Sequence, residues 1–329
     1  MTSPKYLTAL SLAFSLTFSL TGLLPIAAAQ AQDRVLPNAA TPAIPGVVAG
    51  GLLIEPVGSG FDGTEGPLGL PDGSLLFTET RAERVIQIKP DKSRAVYLEQ
   101  TNGANGLALR KDGALVAVQV KAPRVGIIAP AEHAKTLADN YKAAAFVRPN
   151  DLVIDKSGGV YFTDSGNNPA ADGANQELAS TVGIYYLSAK GDLRQLDSEI
   201  ERPNGIQLSP DEETLYVANT LGQHVLAYDI RSPGKVKNKR EFAALAGWKD
   251  NSSGADGLAV DDAGRLYVAS NAGIEVFTPQ GDALGAIPLP VKPQNLAFAG
   301  VDKKWLYAVG RGAVYRFPVL TPGVHSRAK

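Results

Sequence analysis

The chain has 329 residues, with 32 Lys and Arg against 33 Asp and Glu, and three histidines, His133, His224 and His325. The near-zero net charge gives no electrostatic ground for a nucleic-acid or anionic-membrane partner. The lack of cysteine excludes disulfides, thiolate catalysis and Cys-ligated zinc, and no paired histidine spacing exists for a His-based triad or metal site.

Lys5 is the only charged side chain before Asp33, and residues 7–24 are apolar apart from Ser, Thr and Gly. Ala29-Gln30-Ala31 then supplies a small-x-small cleavage site, so residues 1–31 read as a secretory signal peptide rather than a retained membrane anchor. The expected location is periplasmic or secreted, with no stable membrane association after cleavage. Residues 32–51, rich in Pro, Ala and Gly, read as a tether or an irregular entry segment. The remainder is long enough for one large all-β domain or two small ones.

From there the chain repeats. Six copies share a small or polar opening, an apolar run, a turn and a second run; they open at Glu65, Asn105, Asn150, Asn204, Asp256 and Asn295. In the third copy, Leu152-Val153-Ile154 and Val160-Tyr161-Phe162 flank Lys156-Ser-Gly-Gly, a hairpin pattern. A third strand follows in each copy, at 85–88, 125–128, 183–187, 225–228, 273–277 and 313–317. Segments 94–98 and 283–287 suit outer fourth strands. Residues 131–146 look helical in composition, but a helix would break the rhythm, so a strand and loop with one helical turn is expected.

A period of roughly 40–55 residues with several short strands per copy fits propeller blades. The expected fold is all-β: a six-bladed β-propeller over 52–319, with four-stranded blades around a central metal-binding channel, and a tail over 320–329. The last copy lacks a fourth strand, which the segment near 51–56 can supply. The longer third and fourth periods place insertions at 167–180 and 231–254.

The innermost strand of each blade lines the channel, so equivalent positions converge although they lie far apart in sequence. Glu65, Asn150, Asn204 and Asp256 then offer two carboxylates and two amide oxygens, hard donors suited to Ca²⁺, with Mg²⁺, Mn²⁺ or Zn²⁺ as alternatives. Asn-Gly and Asp-Gly are also ordinary turn residues, and Pro71-Asp72-Gly73 and Lys111-Asp112-Gly113 are assigned to hairpin turns. The openings differ in preceding the apolar run, whereas the turn signals follow it. Glu65 is the sharpest, since Glu is a poor turn residue.

Thr64-Glu65-Gly-Pro, Arg148-Pro-Asn150-Asp151-Leu, Arg202-Pro-Asn204-Gly-Ile with Leu215-Tyr-Val-Ala-Asn219, and Ala255-Asp256-Gly-Leu-Ala-Val-Asp261 together resemble the gluconolactonase and senescence-marker-protein (regucalcin-like) family. The resemblance runs from about residue 53 to 317. It implies a six-bladed propeller, one channel ion, usually Ca²⁺, and hydrolysis of sugar lactones. By position it implies Glu65, Asn204 and Asp256 as metal ligands, Asn150 as a metal or substrate contact, and Arg148 as a substrate contact. This chain departs from the family at Leu68-Gly69-Leu70, where an aromatic residue is frequent, and at Ala117-Val-Gln119-Val-Lys121, where many members carry Glu-His.

The expected enzyme is a Ca²⁺-dependent lactonase: the ion polarises the carbonyl, water attacks, and Asp256 or else Asp151 takes the proton. The alternatives are an organophosphate triesterase or other ester hydrolase on the same site, and a non-catalytic periplasmic binding propeller. A small lactone or ester is the expected partner, and a monomer the expected state.

Overall fold

The computed structural model describes Met1 and residues 36–167 and 181–327. The expected signal peptide and most of the 167–180 insertion lie outside the described residues. Residues 32–329 form one compact unit.

That unit is a six-bladed propeller. Blade 1 comprises Thr64–Gly69, Leu75–Glu79, Arg84–Ile88 and Arg94–Glu99; blade 2 comprises Ala104–Leu109, Leu115–Gln119, Arg124–Ala129 and Lys135–Ala138. Blade 3 comprises Pro149–Ile154, Val160–Asp164, Gly183–Leu187 and Leu193–Asp197, and blade 4 Pro203–Leu208, Thr214–Asn219, His224–Ser232 and Lys235–Ala244. Blade 5 runs through Leu258–Val260, Leu266–Ser270, Gly273–Phe277 and Ala283–Ile287. Blade 6 takes Asn295–Ala299, Trp305–Gly310 and Ala313–Pro318 from the end of the chain, and Leu53–Ser59 from its start. Every pairing is antiparallel, and the inner strands touch in cyclic order from blade 1 to blade 6 and back to blade 1.

Alternation of side chains packs each blade against the next. Leu152, Phe162 and Tyr185 of blade 3 face Val116 and Val118 of blade 2, while Val153, Tyr161 and Tyr186 face Ile206, Leu215 and Val217 of blade 4. Both faces of a blade are thus covered, which explains why the second strands read as continuous apolar runs. The closure of blade 6 has its own staple. Glu55 pairs with Arg316, whose Nε lies 3.0 Å from Glu55 Oε2 and whose guanidinium stacks 4.4 Å from the Trp305 ring.

The segments before and after the blades pack against them. Of the two readings of the entry segment, residues 39–51 follow the irregular one rather than a free tether: Ala39–Ala40 adds a fifth strand beside Leu53–Ser59, and Ile44, Val47 and Val48 are buried in the core between blades 5 and 6. The tail also packs: Gly323 bridges to Asp261, Val324 is buried, and Arg327 donates to the carbonyls of Leu208 and Ser209 at 2.7 and 2.9 Å. Much of the extra length at 231–254 belongs to the outer hairpin of blade 4 rather than to a loop. Residues 131–138 form a single 3-10 turn and a strand.

Candidate active site in the propeller channel

The inner strands carry a register shift next to their opening residues in blades 1 to 4, at Glu65/Leu68, Ala104/Leu107, Pro149/Leu152 and Pro203/Ile206. A bulge bends the strand and re-aims a side chain, and here it falls at the channel mouth. After the openings Glu65, Asn105, Asn204 and Asp256 the next residue is glycine because the next blade presses on it. A Cβ at Gly205 would lie 2.2 Å from the Asp256 carbonyl oxygen, and one at Gly257 1.9 Å from Asn295 Oδ1. The Asn-Gly and Asp-Gly pairs therefore record close approach between blades. By contrast, Asp72, Asp112 and Asp155 each accept a backbone N–H two residues on, as turn residues do.

In blades 1 to 4 a polar residue at the end of the second strand, Glu79, Gln119, Asp164 or Asn219, clamps the loop leading into the opening. Asp164 accepts from the N–H groups of Val147 and Arg148 at 2.9 and 2.8 Å, and Asn219 accepts from Arg202 N–H at 3.1 Å. Hydroxyls then stitch blades together: Thr78 donates to the Asn105 carbonyl, Thr163 to that of Asn204 and Thr220 to that of Ala255, at 2.9, 2.7 and 2.8 Å. Burial pushes the Asp164 carboxyl up, against the pull of its three backbone donors.

The clamped openings converge. Glu65 is buried; burial first, then the carboxyls of Asp256 and Asp151, push it well above the ordinary carboxylate range. Asp256 is half-buried, and burial likewise raises it, opposed by Lys292, Arg311 and Arg202 and reinforced by Asp151. Three carboxyls from blades 1, 3 and 5 thus share one field. Gln294 and Asn295 of blade 6 hold Glu65 through Nε2–Oε1 and Nδ2–Oε2 contacts of 3.1 and 3.3 Å.

Asn204 has one available amide orientation. Thr220 spends its hydrogen on the Ala255 carbonyl, so its oxygen accepts Asn204 Nδ2 at 3.0 Å. Asn204 Oδ1 is then a buried acceptor without a hydrogen-bond partner. Such a group costs free energy unless a donor or cation meets it, and this is the observation on which the residues fit a hard divalent ion. Among the described residues no three His, Cys, Asp or Glu side chains form a metal cage by themselves. An ion here therefore needs the amide oxygens as well as Glu65 and Asp256.

Asp151 is fully buried; its Oδ1 accepts from Leu152 N–H at 2.9 Å and its Oδ2 from Ile206 N–H at 3.4 Å. Asn150 and Arg148 are half-buried beside it. Asn105 holds the ring together instead: its Oδ1 accepts from Thr80 and its Nδ2 donates to the Asn150 carbonyl, at 3.0 and 2.8 Å. Gln294 and the clamp Asp164 went unread as site residues. The only available signal for Gln294 was its place immediately before the sixth opening.

A profile of the SMP-30/Gluconolactonase/LRE-like region matches residues 63–309. A gluconolactonase of Zymomonas mobilis is 29% identical over 255 residues, covering 71% of this chain and 72% of that one. The diisopropyl-fluorophosphatase of Loligo vulgaris is 31% identical over 158 residues, 45% of this chain and 50% of that one. Among solved structures, a gluconolactonase of Xanthomonas campestris superposes with a TM-score of 0.74 at 25% identity, covering 87% of this chain and 99% of that one.

Proposed function

Since this chain belongs to the SMP-30/gluconolactonase/LRE-like family, we propose that it hydrolyses a sugar-type lactone with one divalent cation, Ca²⁺ by preference, held by Glu65, Asn150, Asn204 and Asp256. The crowding of the Glu65, Asp151 and Asp256 carboxyls in one ring with the partnerless Asn204 Oδ1 is the observation that carries this reading. A bound cation would supply polarisation of the lactone carbonyl and stabilisation of its developing oxyanion.

The rest falls to the chain's own groups. Asp256, half-buried and raised toward neutrality, is suited to take a proton from an attacking water. As the water oxygen bonds to the carbonyl carbon and the ring C–O bond breaks, Asp256 returns that proton to the leaving alkoxide, giving an open hydroxy acid. Asp151 is the weaker candidate for base, because backbone N–H groups occupy both its oxygens; its charge raises its neighbours instead. Gln294 and Asn295 orient Glu65, and Arg148, two residues before Asn150, would contact substrate oxygens.

The test is acid release from a panel of sugar lactones before and after chelation, with Ca²⁺ re-addition. Hydrolysis unaffected by chelation would remove the metal from the scheme, and no hydrolysis of any lactone would remove the scheme. The likeness to diisopropyl-fluorophosphatase supports a second reading, a phosphotriesterase on the same site, so a fluorophosphate belongs in the panel. Export to the periplasm or medium rests on residues 1–31, and N-terminal sequencing of the mature protein tests it.

A further inference from the structure

Among the described residues, basic side chains gather on the loops at the channel mouth. Glu65, Asp151 and Asp256 share the channel, and four cations stand on the loops around it: Arg148, Arg202, Lys292 and Arg311. Their backbones are tied into the machinery that positions the site. The Arg202 carbonyl accepts from Thr220 N–H at 3.0 Å, and Thr220 is the residue that orients Asn204. Arg311 N–H donates to Gln294 Oε1 at 2.8 Å, while the other end of that amide holds Glu65.

Lys292 reaches across from the loop before blade 6 to the start of blade 5. Its Nζ donates to Asn271 Oδ1, a neutral amide, and a Cβ on Gly254, two residues before Asp256, would lie 2.4 Å from that nitrogen. A Cβ on Gly310 would lie 2.7 Å from the Lys292 carbonyl oxygen, so Lys292 and Arg311 spring from adjacent backbone, and Arg311 is exposed. Two like charges held together at a solvent-open mouth repel, and an anion between them removes the penalty. A divalent ion in the channel would add to the positive charge there. With Asp151 fully buried and Arg311 exposed, a lactone whose carbonyl sat at Asp256 would direct its remote carbons toward this rim.

We propose that the substrate carries an anionic group, carboxylate or phosphate, on the carbons remote from its lactone carbonyl, and that Lys292 and Arg311, with Arg202 across the channel, recognise it. This rests on the lactone-hydrolase reading and narrows its substrate class. Hydrogen bonds to a charged group change affinity by about tenfold or more each, which sets the expected discrimination.

The experiment compares kcat/KM for three lactones with the same ring: neutral D-glucono-lactone, a D-glucaro-lactone with a terminal carboxylate, and 6-phospho-D-glucono-lactone. The wild-type chain is expected to prefer one anionic form over the neutral one by about tenfold or more, and the better arm identifies the anion. Lys292→Met and Arg311→Asn should pull that ratio toward one, while Arg311→Lys keeps it. Asn suits position 311, where the backbone has φ of 52°, and melting curves confirm that each variant folds. Calorimetric titration with glucarate and gluconate, the ring-opened acids, should show the same order and the same losses. Equal kcat/KM for neutral and anionic lactones, or a ratio that neither variant moves, overturns the anion inference and leaves the lactonase reading standing. Hydrolysis of none of the three overturns the lactonase reading, and this inference with it.

Discussion

The two mouths of the channel are made by opposite ends of the same inner strands, and they differ in how their charges are satisfied. At the far mouth a cavity of about 710 Å³ is lined by Arg110, Lys111, Lys156, Lys303 and Arg327 among others. Cations there have ordinary partners: Lys111 donates to the Lys156 carbonyl at 3.3 Å, Lys303 to the Val324 carbonyl at 2.9 Å, and Arg327 to two carbonyls of blade 4. At the near mouth carboxyls crowd one another, and an amide oxygen is buried without a donor. Space alone does not mark a site; electrostatic tension that the protein leaves unresolved does.

The sharpest way to break this contrast is Asp256→Asn. Turnover of the best lactone should fall by about a hundredfold or more, while the melting temperature holds or rises, because a crowded buried carboxyl is gone. Retained turnover would show that the tension at this mouth is not catalytic.

Next in size is the response to a divalent ion. Ca²⁺ at about 100 times its Kd should stabilise the fold by about 2.7 kcal/mol, read as a rise in melting temperature. Asn204→Leu should abolish most of that rise. An unchanged melting temperature with excess Ca²⁺ would argue that the orphaned oxygen awaits something else.

Arg327→Ala makes the converse test at the far mouth. Losing its donors to Leu208 and Ser209 should cost about 1–3 kcal/mol of stability, measured by denaturant titration, with kcat/KM unchanged. A loss of turnover without loss of stability would mean that the far mouth serves the reaction after all.

The smallest expected effect is one of pH. Burial, with Arg327 beside it, pushes the Lys303 ammonium down to about 8 from its usual 10.5. Between those values the unfolded chain binds more protons than the folded one, so stability rises with pH across that window. Neutral Lys303 keeps N–H donors for its carbonyl partners, so the contacts survive. The excess slope over pH 8–10.5 should vanish in Lys303→Met; an identical slope in both proteins would refute it.

The sequence disclosed the ring because blade periodicity and the phase of the openings are local properties, readable at Glu65, Asn204 and Asp256 without coordinates. It disclosed less where geometry between blades decides. Asn105 and Asn204 open their repeats with the same Asn-Gly, yet Thr80 and the Asn150 carbonyl occupy the first amide, while Thr220 turns the second so that its oxygen is left over. Gln294 meets Glu65 from 229 residues away across the closure, a pairing that no spacing rule reaches. Residues 39–51 and the tail show no strand period, and Pro, Gly and Ala dominate the first of them. Their few apolar residues, Ile44, Val47, Val48 and Val324, nonetheless sink into blade interfaces.

The seam in blade 6 has a consequence for biogenesis. Leu53–Ser59 leaves the ribosome among the first structured residues, but its neighbour Ala313–Pro318 leaves among the last. Until Ala313–Pro318 emerges the nascent blades form an arc with bare strand edges, the state in which edge-to-edge association with other polypeptides is hardest to avoid. A chaperone or translocation channel that shields that arc would protect it through the interval when it is most prone to aggregate.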